Sequence, residues 1–136
     1  MRWSSVRGFS LIELLVVLVV IGTALTIALP KAAALRQGML LDGAAQQVLG
    51  DLQRAQFEAI KRNQSLKVVL TGPTSYTVQF IGARELDGGV QFVSAPDTMR
   101  FASFGPPASG QAIYVLRLGS REKRVEVSAA GFLRVR

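Results

Sequence analysis

From Phe9 to Leu29 the chain is apolar on every side of a helix, and Glu13 is the only formally charged residue in the run. At about 1.5 Å per residue this stretch makes a helix of roughly 30 Å, the thickness of a bilayer's hydrocarbon core. Arg2 and Arg7 precede it. The positive-inside tendency then keeps the N-terminus cytoplasmic and sends the rest of the chain outward, as a single-pass protein. A carboxylate near hydrocarbon is costly, roughly 2–3 kcal/mol at mid-helix and less at an interface, so Glu13 calls for a partner or a role.

Beyond Pro30 the apolar positions thin to one stripe. Leu41, Ala45, Val48, Leu52, Ala55 and Ala59 recur at alternating steps of four and three, which places them on one helical face. Leu49 and Ile60 widen that face. Asp51 with Arg54, and Glu58 with Arg62, have the spacing of surface ion pairs. Gly38, Gly43 and Gly50 weaken the helix and mark bends or close approaches. The helix is predicted to fade near Asn63-Gln64.

At Leu66 the period changes to that of strands. Leu66 to Thr71, Ser75 to Ile81, Val90 to Val93, Met99 to Phe104, Ala112 to Leu118, Arg124 to Ser128 and Phe132 to Val135 each read as a strand. In the second, Tyr76, Val78 and Phe80 share a face. Turn signals separate the strands: Gly72-Pro73-Thr74, Asp87-Gly88-Gly89, Gly105 to Gly110, Gly119 to Lys123 and Ala129-Ala130-Gly131. Short connections favour antiparallel pairing. The predicted fold is α+β: a long N-terminal transmembrane helix that continues under a small antiparallel β-sheet head.

The segment Gly8-Phe9-Ser10-Leu11-Ile12-Glu13-Leu14-Leu15-Val16-Val17 resembles the class III signal of type IV prepilins and type II secretion pseudopilins. That resemblance implies a prepilin peptidase that cuts between Gly8 and Phe9 and methylates the new amine of Phe9. It also gives Glu13 a partner, the N-terminal amine of a neighbouring subunit, and makes Pro30 a helix kink. The implied divisions are a leader at 1–8, an assembly and membrane helix at 9–29, a helix under the head at 30–64 and a β head at 65–136. Leu41 to Gln64 further resembles the GspH/FimT-type minor pseudopilins, whose helix has the form L-x-x-A-R-x-E-A-I-x-R-N. Here Gln56 and Phe57 stand where that pattern has a polar pair before Glu58. The resemblance implies a minor subunit whose partners are other pilin or pseudopilin subunits, an assembly platform in the inner membrane, and membrane lipid. A conventional secretory signal, cleaved near Lys31-Ala32-Ala33-Ala34, is the competing reading; the charge at Glu13 and the length of the run argue against it.

Composition narrows the chemistry. The chain has 136 residues, no Cys and no His. Without Cys there is no disulfide framework and no thiolate nucleophile, so an exported head must hold together by packing. Without His the commonest general base and metal ligand are missing. Ser65 with Lys67, or Glu85 with Asp87, are the remaining catalytic pairs, and neither sits in a recognisable motif. No catalytic residue, metal or cofactor is predicted.

The formal charge is +7, which favours acidic partners. Arg117, Arg121, Lys123, Arg124, Arg134 and Arg136 crowd the C-terminal twenty residues, against Glu122 and Glu126. The bland account is a sheet edge blunted by charge. The alternative is DNA: some FimT-like pilins of uptake systems bind it through a C-terminal G-R-x-R element. Here Gly131-Phe132-Leu133-Arg134-Val135-Arg136 keeps Arg134-x-Arg136 but separates it from the glycine. Arg134 and Arg136 share a strand face, and binding through them would be electrostatic and salt-sensitive.

Overall fold

The structure, a computed structural model, describes residues 10–136. One helix, α1 (Leu11–Arg62), is followed by eight strands: β1 (Leu66–Leu70), β2 (Ser75–Val78), β3 (Gly82–Glu85), β4 (Gln91–Ser94), β5 (Thr98–Phe101), β6 (Ala112–Leu118), β7 (Arg121–Val127) and β8 (Leu133–Val135). The fold is α+β, and all pairings are antiparallel. Two units are described separately, one ending at Arg36 and the other spanning Gln37–Arg136.

The first unit is helix. Its Leu, Val and Ile side chains are exposed on every side, and the element is long and apolar enough to cross a membrane. The polar residues of the run satisfy themselves locally. Thr23 Oγ1 donates to the Val20 carbonyl at 2.9 Å and Thr26 Oγ1 to the Gly22 carbonyl at 2.8 Å, so neither hydroxyl is an unmet donor in hydrocarbon. Pro30 lies inside the helix. It has no amide to give the Thr26 carbonyl, which interrupts the hydrogen-bond ladder at one point.

In the second unit the predicted stripe is the buried one. Leu41, Ala45, Val48, Leu52, Ala55 and Ala59 are all buried, joined by Ala44. They pack into one core with Leu66, Val68, Tyr76, Val78, Met99, Phe101, Tyr114, Leu116, Val125 and Val127. The alanines let the sheets approach the helix closely, while Leu52 and Val48 fill the space between. Ile60 departs from prediction: it is 47% exposed, because the stripe reaches its edge there and the chain turns away at Asn63, with a φ of 51°.

The head has two sheets where the sequence suggested one. One has the order β3-β2-β1-β5, the other β4-β6-β7-β8. Aromatic rings join them. Tyr76 on β2 meets Phe92 on β4 edge-on at 5.8 Å, and Phe92 meets Tyr114 on β6 at 6.2 Å. The Tyr114 hydroxyl lies 3.3 Å from Met99 Sδ on β5.

Most strand boundaries shift from expectation, and the strand predicted over Met99 to Phe104 stops at Phe101. The second strand stops at Val78, and Phe80 turns out at a φ of 68°, exposed beneath the Arg62 guanidinium, 4.7 Å from its ring centroid. Gly82–Glu85 then forms an edge strand that its sequence conceals. The turn after β6 is also tighter than Gly119 to Lys123. Gly119, with a φ of 61°, reverses the chain, so Arg121 and Lys123 already belong to β7.

Candidate functional site

At the helix start, the Glu13 amide donates to the Ser10 carbonyl at 3.0 Å and the Leu14 amide to the same oxygen at 3.1 Å. Glu13 stands in the first turn, where the partial positive charge of the helix terminus favours a carboxylate. Ser10-x-x-Glu13 also has the spacing of a capping box, a local signal that attention to the charge alone overlooks. Gly8 and Phe9 lie outside the described residues.

The six C-terminal basic residues are not brought together. Val125 and Val127 of β7 point into the core, so strand alternation sends Arg121 and Lys123 to the same side. There Lys123 Nζ pairs with Asp42 of α1 at 2.5 Å, and Arg121 reaches over Gly38, whose missing side chain makes the space: a Cβ there would lie 3.1 Å from the guanidinium. These two cations fasten the hairpin to the helix.

Arg117, Arg124, Arg134 and Arg136 occupy the opposite, outer face. Arg124 and Arg136 are a hydrogen-bonded cross-strand pair, at 2.9 and 2.8 Å, and Arg134 faces Glu126 across the β7–β8 ladder. Carboxylates are interleaved. Glu126 accepts from Arg134 Nε at 2.7 Å and lies 3.9 Å from Arg136. Glu122 accepts from Arg117 Nε at 2.8 Å. Arg124 alone among the four has no carboxylate partner among the described residues. Beside Arg134 a recess of about 440 Å³ is lined by Gln111, Glu126, Ser128 and Phe132 as well.

A polar cluster that the sequence did not reveal lies between helix and sheet. Asp51 does not pair with Arg54. It turns to the head, accepting from the Tyr76 hydroxyl at 2.7 Å and lying 3.4 Å from Arg84 Nε. Burial, and then the bond to Asp51 and its charge, hold the Tyr76 hydroxyl well above the usual phenol range. Burial does the same to Tyr114. Glu58 does pair with Arg62, at 2.9 Å, and the hydrogen bond from Arg62 is the main cause of its lowered pKa.

Residues 3–29 match the family described as the prokaryotic N-terminal methylation motif. Residues 44–131, more than half of the chain, match the family described as Type II transport protein GspH. The chain belongs to the GspH family. This GspH-family chain is also 38% identical over 90 residues to the pilin-like protein PilA1 of Thermus thermophilus, a match covering 63% of this chain and 56% of that protein. It therefore spans little more than half the length of that relative. Its fold is similar to the type IV minor pilin FimU of Pseudomonas aeruginosa PAO1. One crystal form gives a TM-score of 0.62 at 14% identity, covering 71% of this chain and 87% of the other. A second gives 0.56 at 18%, covering 71% and 92%. The GspH match takes in the buried helix stripe from Ala44 onward, the Asp51 cluster and the sheets through Gly131, and stops short of Arg134 and Arg136.

Proposed function

We propose that this GspH-family chain is a minor pilin or pseudopilin, a structural subunit that enters a type IV pilus or a type II secretion pseudopilus through its N-terminal helix. The observation that carries the reading is the order of parts. A methylation motif at 3–29 takes in the apolar run from Phe9 to Leu29, whose sole charge is Glu13, and the helix that carries this run continues to supply the core stripe of a GspH-type head. The leader at 1–8 is removed by hydrolysis of the Gly8–Phe9 bond, and a methyl group is transferred to the freed Phe9 amine. Residues 9–29 hold the subunit in the inner membrane with the head outside, consistent with Arg2 and Arg7 on the cytoplasmic side. Glu13 meets the amine of a neighbouring subunit, which answers the need of a charge in hydrocarbon for an opposite one. Pro30 supplies the bend where the ladder is already broken.

Mass spectrometry of the purified protein tests the processing step. A methylated Phe9 terminus is expected, and Gly8→Glu is expected to leave the leader attached. Glu13→Ala tests assembly: membrane insertion and cleavage persist, while recovery of the variant in sheared filaments drops. Normal recovery would sink the charge-pairing account.

A second reading, DNA binding, draws on one observation: Arg117, Arg124, Arg134 and Arg136 share a single outer face. Arg121 and Lys123 do not contribute to it, and Glu122 and Glu126 neutralise part of it. Any binding is therefore weak, electrostatic and lost as salt rises. A gel shift with the full chain in detergent at low salt, beside Arg134→Ala/Arg136→Ala, decides it; unretarded DNA with the wild type disposes of the reading.

A further inference from the structure

Lys67 of β1 stands directly opposite Arg100 of β5. Their neighbours Leu66 and Val68, like Met99 and Phe101, are buried in the core, so strand alternation puts both cations on the outer face of that sheet. Residues in this register have their Cβ atoms about 4.5–5.5 Å apart, and like charges there destabilise the sheet. Nothing beside the pair relieves it. The adjoining outer positions are Val69 and Thr98 along the strands, and Gln79, Thr77 and Ala83 across the sheet. Glu85 shares the face, but at its far end, opposite Ser75. No carboxylate pairs with Lys67 or Arg100 among the described residues. The cross-strand pair Arg124 and Arg136 differs in this respect, since Glu126 lies 3.9 Å from Arg136.

Charge along a free sheet edge guards against unwanted pairing, but neither residue borders such an edge. β1 lies between β2 and β5. The outer edge of β5 is taken by the loop that follows it: Phe101 bridges to Pro107, and the Ala108 amide donates to the Arg100 carbonyl at 2.8 Å. That cover is fastened in turn. Gly131, whose carbonyl accepts from Gln56 Nε2 at 3.2 Å, lies so near that a Cβ on it would fall 3.3 Å from the Pro106 backbone. On the other side Gln79 Oε1 accepts from the Lys67 amide at 3.1 Å, and the Gln79 amide donates to the Lys67 carbonyl at 3.0 Å. The backbones thus hold two unneutralised cations at one spot. We propose that Lys67 and Arg100 bind a dianionic tetrahedral oxyanion, the phosphate group of a monoester or of inorganic phosphate. Arginine offers a planar fork of donors and lysine a compact charge. A carboxylate would cancel one of the two charges, whereas a phosphate group, at about −1.5 to −2, cancels both. The site requires neither a filament nor the C-terminal arginines, which belong to the other sheet.

The test is a phosphorus NMR titration of the full chain in non-ionic micelles, with inorganic phosphate and separately with glycerol phosphate. A dissociation constant on the order of 1 mM is expected, the strength of two charge-assisted contacts at an exposed site. Binding of both probes means that the site accepts the group free or esterified; binding of inorganic phosphate alone restricts it to the free ion. Lys67→Gln and Arg100→Gln are each expected to weaken binding about tenfold. Arg54→Gln, which removes an exposed cation of α1, is expected to leave it unchanged. Glycerol phosphate is expected to bind about tenfold more weakly at about pH 5 than at about pH 8, because its second proton returns near pH 6. Sulfate, dianionic at both, is expected to compete with the same affinity throughout. In chloride, where the repulsion is unrelieved, Lys67→Gln and Arg100→Gln are expected to raise the unfolding midpoint by about 2 °C. No saturable binding, unchanged affinity in either variant, an equal loss in Arg54→Gln, binding of glycerol phosphate that ignores pH, or a lowered midpoint in chloride would each overturn the proposal.

Discussion

The two halves of α1 have the same backbone and opposite relations to their surroundings. Between Leu11 and Leu29 the apolar side chains point in all directions and are exposed. Between Leu41 and Ala59 they keep to one stripe, and that stripe is buried. Gly43 and Gly50 in the second half face open space, opposite the core, and Gly22 in the first half faces open space as well. Helix propensity does not separate the halves. The distribution of apolar residues around the axis does, because it states which solvent each side is meant to meet.

Substitutions at matched positions test that contrast most severely. Leu52→Ala opens a cavity in the core and is expected to cost the head about 2–5 kcal/mol. Leu18→Ala, in the exposed half, is expected to cost it less than about 0.5 kcal/mol. Urea unfolding of the full chain in micelles measures both, and equal losses would erase the distinction. In the other direction, Leu18→Arg is expected to cost insertion about 3 kcal/mol, while Gln53→Arg on the head's exposed helix face leaves insertion unchanged. Carbonate extraction of membranes reads this out.

A smaller effect is expected at the polar contact between helix and sheet. Asp51→Ala leaves the Tyr76 hydroxyl without its acceptor and Arg84 without its ion-pair partner, at about 1–3 kcal/mol. The buried tyrosines set an alkaline limit. Tyr76 and Tyr114 hold their protons more tightly folded than unfolded. Their contribution is therefore complete below the unfolded phenol pKa of about 10 and declines as pH rises beyond it. The unfolding midpoint is expected to fall above about pH 10, and less so in Tyr76→Phe/Tyr114→Phe. The smallest effect has the opposite sign. Gly43→Ala meets nothing within 4 Å and is expected to stabilise the head by about 0.5–1 kcal/mol. A loss there would mean that the outer helix face is not free.

What could be read in advance follows from what is local. The core stripe was legible because a period of 3.6 needs only the residues themselves, and Glu13 because one charge in an apolar run is conspicuous. Gly82–Glu85 was not, since Ala83 is its sole apolar side chain and an edge strand is held by its neighbour's backbone. The division into two sheets was hidden for a related reason: β5 pairs with β1 rather than with β4, a choice made by the core. At the C-terminus, alternation correctly put Arg134 and Arg136 on one face. It did not show that Glu126 sits between them, because that is a cross-strand relation. Placing Lys123 in the turn obscured its parity with Val125, and with it the pairing to Asp42.

The bond from Gln56 to Gly131 spans 75 positions of chain, and this bears on the order in which the molecule is made. Synthesis runs from the N-terminus at about 5–20 residues per second. The helix is therefore complete roughly 3–14 s before the residue that its glutamine amide must hold has been added. Through that interval Val48 and Leu52 have only part of their cover, and β8 has yet to close the second sheet. The nascent protein is most at risk of aggregation along the stripe that later becomes its core, and a chaperone or a neighbouring surface has its best opportunity there.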